Sequence, residues 1–236
     1  MPGPDSAVPL PSPAGQALGT ALTIEFVTGL SCTTTLLQGY RTAFRPIHPL
    51  AWAGTAGSIF SSLVLPATTP ARFPYLLAIL LIGSAGYALL NRVGAASSSA
   101  QEAETRRSRA WPSAAVSGAW RSKAIISALF AGGVSRSLGV GAGLVFVPFL
   151  TGESGASVPV ALAAAQAADL PVTLSSSLWF LHHGQVNFPL AAHVGAGSTV
   201  GAQLGVNVLT EWSPFAWRLA YLLSCLTLWG FLLALT

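Results

Sequence analysis

The feature that leaves this chain fewest options is the recurrence of apolar, nearly uncharged stretches about twenty residues long. That is the length at which a helix crosses a hydrocarbon core of about 30 Å. Seven such stretches are read, at about 17–38, 49–66, 73–91, 122–150, 158–181, 189–209 and 215–235. Only 8% of the residues are charged and the mean hydropathy is +0.62, whereas an ordinary soluble domain carries about 25% charged residues. In lipid every backbone N–H and C=O must be satisfied inside the segment, and stretches this long without strict alternation do so as helices rather than as barrel strands. The expected fold is therefore all-α, a polytopic transmembrane bundle of about seven helices whose main partner is the lipid bilayer.

The net charge of +4 does not mark a nucleic-acid binder. Arg41, Arg45, Arg92, Arg106, Arg107, Arg109, Arg121 and Lys123 fall in loops on one side of this arrangement, and only Arg72 and Arg218 on the other. The positive-inside rule then makes the 92–121 interval and the C-terminus cytoplasmic, with the N-terminus outside. Residues 92–121 open with RVGAASSSAQEAETRRSR and read as a flexible cytoplasmic linker. Residues 1–16 carry five prolines and no Lys or Arg, and read as a disordered lead-in rather than a signal peptide. Cys32 and Cys225 are single thiols in apolar surroundings with no CxxC and no His cluster, so neither a metal nor another cofactor is expected.

The chain echoes itself. Pro49, Leu50, Ala51, Ala56, Gly57 and Ser58 recur 140 positions on as Pro189, Leu190, Ala191, Ala196, Gly197 and Ser198. Arg72, Tyr75, Leu76 and Leu77 recur as Arg218, Tyr221, Leu222 and Leu223, and Gly39 lines up with Gly184, each closing a Ser/Thr-rich span. The domain reading is a first repeat at 17–91 and a second at 122–236. Such repeats build many secondary transporters, with the substrate site at the repeat interface. Nothing in the first repeat matches 122–150, so the halves are expected to contribute three helices and four.

That unmatched stretch is the most informative one. In AGGVSRSLGVGAGLVFVPFL, residues 131–150, five glycines precede Pro148. Glycine permits positive φ and close backbone approach, and a broken membrane helix exposes N–H groups that favour an anion. The glycines also fit helix packing, since Gly139 and Gly143 are four apart. The expectation is an irregular break at 139–143, with Gly139, Gly141 and Gly143 lining a cavity. Ionisable residues inside spans are functional candidates by default. Arg136 offers a planar fork to an oxyanion, or pairs structurally with Glu25 or Asp169. Glu25 and Asp169, one in each half, are candidates for proton or ion coupling as well as for structural pairing.

GVGAGLVFVPFL, a short loop, an Ala-rich span and HHGQVNFPL together resemble the second half of the TauE/SafE sulfite-exporter family. AGSTVGAQLG at 196–205 resembles the Gly-rich third helix of a half, and QALGTAL at 16–22 the start of the second helix in the first half. The resemblance covers 14–91 and 118–236. It implies two similar four-helix halves, each opening on a GxGGG-like stretch and a VP pair, here Val147 and Pro148. It also implies transport of a small anion, sulfite or an organosulfonate, across the plasma membrane; the residues expected to bind it are Arg136, Gly139, Gly141, Ala142, Gly143 and Pro148. Ala142 stands where that family has glycine, and Ala21 and Gln166 where serine is usual. The helix with the first GxGGG stretch has no counterpart, so a second expectation is an incomplete or inactive homologue that needs an upstream helix or a second copy, as a homo-oligomer, to close its site.

Fragments of an enzyme signature compete with this reading. GESG at 152–155 matches the GxSG motif of rhomboid intramembrane proteases and HGQVN at 183–187 their HxxxN, but the order along the chain is reversed and AHVGAG from Ala192 misses the AHxxG spacing. No enzymatic activity is expected.

Overall fold

The computed structural model describes residues 12–39, 47–64, 118–154, 156 and 158–209, with single positions 79, 83, 219, 223 and 227. The expected spans at 73–91 and 215–235, most of the 92–121 interval, Arg41, Arg45, Arg72, Arg218 and Cys225 lie outside the described residues. Within them all regular structure is helical: α1 (Pro13–Gly39), α2 (His48–Val64), α3 (Gly118–Leu138), α4 (Gly143–Glu153), α5 (Val158–His182) and α6 (Phe188–Leu209).

Local chemistry sets the ends. Ser12 caps α1 by accepting the Gly15 N–H at 3.1 Å, and Pro13 takes the first helical position, so α1 begins earlier than residue 17. α5 closes on Gly184 at φ +65°, where the Gln185 N–H reaches back to Phe180 O at 2.9 Å and the Gly184 N–H to Leu181 O at 3.0 Å. Asn187 then caps α6 by accepting the Leu190 N–H at 3.2 Å. Gly39 is the last residue of α1, whereas Gly184 lies two residues beyond the end of α5.

α1 and α5 run antiparallel: Gly19 meets Phe180, and Gly29 meets Gln166 and Leu170. α6 runs parallel to α1 along a polar seam in which Thr28 bonds Ser198 at 2.7 Å and Thr35 bonds Gln203 at 2.8 Å. α2 runs parallel to α5, with Gly54 against Val172 and Ser58 bonded to Ser176 at 2.7 Å. α3 lies along α2 at backbone distance. A methyl on Gly132 would strike the Gly54 backbone, and one on Gly57 the Leu129 backbone. Small residues let the helices approach so closely, and the hydroxyls exchanged across the seams replace water.

Residues 122–150 are not the single span read from the sequence. α3 ends at Leu138, Gly139 adopts φ +63°, and the chain turns back, so that α4 returns toward the beginning of α3. There Trp120 meets Phe149 with ring centroids 6.2 Å apart and Lys123 pairs with Glu153 at 2.8 Å. The reversal is possible because the step between the helices is built on glycine. The end of α1, the starts of α2, α3 and α5 and the end of α6 consequently share one side, and the 183–187 turn sits by the start of α1, where the Asn187 N–H donates to Thr20 Oγ1 at 2.9 Å.

Among the described residues no helix is long and apolar enough to cross a membrane, which corrects, for the stretches that fall among them, the expectation that each would do so on its own. The cause is the mixture within each helix. Ser, Thr, Gly and Gln face neighbouring helices and lower the average, while Val27, Leu30, Trp52, Phe60, Ile126 and Phe130 point outward and are exposed. An apolar exterior around bonded hydroxyls is the reverse of a water-soluble design. Among the described residues the core centres on Phe146, Leu150 and the alanines of α3 and α5.

Candidate functional site

The reversal between α3 and α4 collects the ionisable groups of the interior. α4 starts at Gly143 with Ala142 as its capping residue, and no side chain of its own segment caps it. The task falls to α5: Asp169, only 4% exposed, accepts the Ala142 N–H at 3.1 Å through Oδ1. A carboxylate at a helix N-terminus meets orphan amides and the positive end of the dipole. The amide anticipated as an anion donor at the break is therefore taken by the protein's own carboxyl group.

Glu25 approaches the same spot from α1. A side-chain carbon on Gly141 would collide with the Glu25 carboxyl, and it would lie 3.1 Å from Asp169 Oδ2. The Glu25 carboxyl thus fills the place that a side chain at Gly141 would take, with Asp169 within reach of the same point. Glu25 Oε2 is enclosed, although the rest of the residue is half-buried, and among the described residues it has no hydrogen-bond partner.

Arg136, one turn before the break, is 8% exposed. Its guanidinium lies 5.0 Å from the centroids of both Trp179 and Phe180 on α5. Among the described residues no carboxylate pairs with it, so the structural ion pair with Glu25 or Asp169 that the sequence allows is not formed. Asp169 and Trp179 are ten residues apart on α5, roughly 15 Å along the axis. The cation and the carboxylate pair therefore sit at two levels of the same bundle.

A family model, Sulfite exporter TauE/SafE, matches residues 6–229, nearly the whole chain. The chain belongs to the TauE/SafE sulfite exporter family. This is a family of multi-pass membrane transporters of anions, which places the helices described above in a membrane and the broken helix in a transporter. No curated protein and no solved structure matches the chain significantly.

The remaining residues singled out in the sequence are distributed as follows. Gly139 lies against Leu18 and supplies the positive φ, whereas Gly143 is the first residue of α4, with nothing among the described residues within 4 Å of a side chain placed there. Pro148 is buried inside α4. The aromatic pair Trp179 and Phe180 is not singled out by the sequence reading. Its signal there is faint: two rings in a Ser-rich helix, in a segment ending in His182 and His183. The hydroxyl of Ser154, in the protease-like GESG, donates to Leu150 O of its own helix. His183 and His193 each bond a carbonyl one turn back in theirs, at 2.8 and 2.7 Å. No nucleophile and base are assembled from these residues. Among the described residues no cluster of metal-ligating side chains occurs.

Proposed function

We propose that this protein moves a small sulfur oxyanion, sulfite or an organosulfonate, across the plasma membrane, and that Arg136 attracts it. The observation that carries this reading is a buried guanidinium held by two aromatic faces with, among the described residues, no carboxylate paired with it. Cation–π contact steadies a charge without neutralising it, so the fork stays available to a planar or pyramidal oxyanion. Gly139, Gly141, Ala142 and Gly143 shape the path beside it, and Pro148 fixes the helix behind them. The test is sulfite flux into liposomes containing the purified chain: wild type should show saturable flux, and Arg136→Gln should lose most of it. Equal flux in the two would remove Arg136 from the substrate path.

The side that holds the end of α1 and the start of α3 is proposed to be cytoplasmic. Arg41 and Arg45 follow α1, and Arg121 and Lys123 open α3 after the 92–121 interval. α6 ends on this side too. The C-terminus, expected to be cytoplasmic, lies beyond it outside the described residues, so reporters fused after Leu209 and after Thr236 separate the two positions.

A further inference from the structure

Glu25 and Asp169 both reach the point beside Gly141, where only the absence of a side chain admits the Glu25 carboxyl, and the geometry leaves one requirement unmet. Two carboxylates at such short range in a low-dielectric interior do not both stay ionised without a cation between them. The charged and titratable groups on the elements around them are accounted for. α1 carries none besides Glu25 and Cys32. On α3 and α4, Arg136 is committed to the Trp179 and Phe180 rings, Arg121 is exposed, and Lys123 pairs with Glu153 at the far end of the hairpin. His48 on α2, His182 at the end of α5 and His193 on α6 are all exposed. Among the described residues none of these cations reaches the pair. What the site lacks, among the described residues, is a donor to Glu25 Oε2, which is enclosed. A buried carboxylate oxygen without a donor is costly, and one proton removes both the orphan and the repulsion.

We propose that Glu25 and Asp169 form a shared proton site whose loading frees the Ala142 N–H for the transported anion. This rests on the transport reading above and names its coupling ion. With Asp169 ionised, Oδ1 holds the amide at 3.1 Å and its charge repels a second anion. When a hydronium donates to the pair, an O–H bond forms on a carboxyl, one breaks in hydronium, and water leaves, with no oxidation or reduction. The pair then carries one negative charge less, Asp169 becomes a weaker acceptor, and the α4 N-terminus is open to a substrate oxygen. Proton and anion therefore bind cooperatively and move in the same direction.

The deciding experiment is infrared titration of the purified protein in lipid, with and without sulfite, alongside sulfite-driven acidification inside dye-loaded liposomes. Wild type should show a protonated-carboxyl band that Glu25→Gln and Asp169→Asn each alter and the double variant abolishes. Sulfite should tighten proton binding by about tenfold, an ordinary strength for coupled sites. Size-exclusion elution like that of wild type shows that the variants are folded, and the milder Glu25→Gln serves alone if the double variant is not. A band unchanged in the double variant, sulfite flux without proton entry, or flux that disappears when sodium is replaced by choline overturns the proposal. An intact, pair-dependent band in a protein that carries no sulfite supports the proton site and overturns the transport reading instead.

Discussion

Gly57 and Gly197 occupy matching places in the internal repeat, yet Gly57 is pressed against the Leu129 backbone of α3 while Gly197 has nothing beyond its own helix within 4 Å among the described residues. The sequence match sets α2 beside α6, and among the described residues only α2 is covered by a Gly-rich helix. Matching residues therefore face unlike surroundings.

The two glycines should consequently respond differently to the same substitution. Gly57→Ala forces α2 and α3 apart and should cost about 1–3 kcal/mol, the usual range for overpacking. Gly197→Ala should stay within about 0.5 kcal/mol, as uncrowded surface changes do. Thermal denaturation of both variants in one detergent checks this. Equal losses would mean that α6 is as tightly covered as α2.

Gly139 and Gly184 share a left-handed backbone, at φ +63° and +65°, but not their surroundings. At Gly184 nothing among the described residues lies within 4 Å, so only the backbone resists a side chain, and Asn, which tolerates this region, should be milder than Ala, whose penalty is about 1–2 kcal/mol. At Gly139 a Cβ would also stand 2.8 Å from Leu18 Cδ2, so both substitutions should cost more there than at Gly184. Melting temperatures of the four variants give the comparison, and equal losses at the two sites would show that the Leu18 side chain yields.

Much of this site was legible in the sequence because it is written in residue types that local physics restricts. Glycine density located the break at 139–143, and charge inside apolar spans picked out Glu25, Arg136 and Asp169. The reversal of direction was not legible, since the same glycines suit a kink, a packed helix or a hairpin. Asp169 capping α4 was equally hidden, because it depends on how far α5 slides past residue 142, and no local propensity sets that register. The low hydropathy of the helices has a similar origin: Thr28, Ser58 and Ser176 count as polar along the chain but as bonded partners in the bundle.

Gly141→Ala tests the contact between the break and the carboxyl pair. Its methyl would displace the Glu25 carboxyl, so the variant should lose transport and stability. Glu25→Ala vacates that space, so the double variant should be more stable than the sum of the single losses by about 0.5–3 kcal/mol, as expected for touching residues. A double-mutant cycle on thermal stability measures the coupling. Strict additivity would place the Glu25 carboxyl elsewhere.

Arg136→Lys separates charge from shape at the proposed anion site. Lysine keeps a positive charge, but its ammonium has neither the flat face that lies against Trp179 and Phe180 nor the two-pronged donor geometry. The KM for sulfite should rise by about tenfold, equivalent to about 1.4 kcal/mol of lost binding, with the limiting rate less affected. Trp179→Phe retains a ring beneath the guanidinium and should change KM far less than Arg136→Lys. A purely structural Arg136 predicts another pattern, in which Arg136→Lys and Trp179→Phe lower the melting temperature together and leave KM untouched. Flux measured over a range of sulfite concentrations, with melting curves on the same preparations, distinguishes the two, and the second pattern would show that the substrate does not meet this guanidinium.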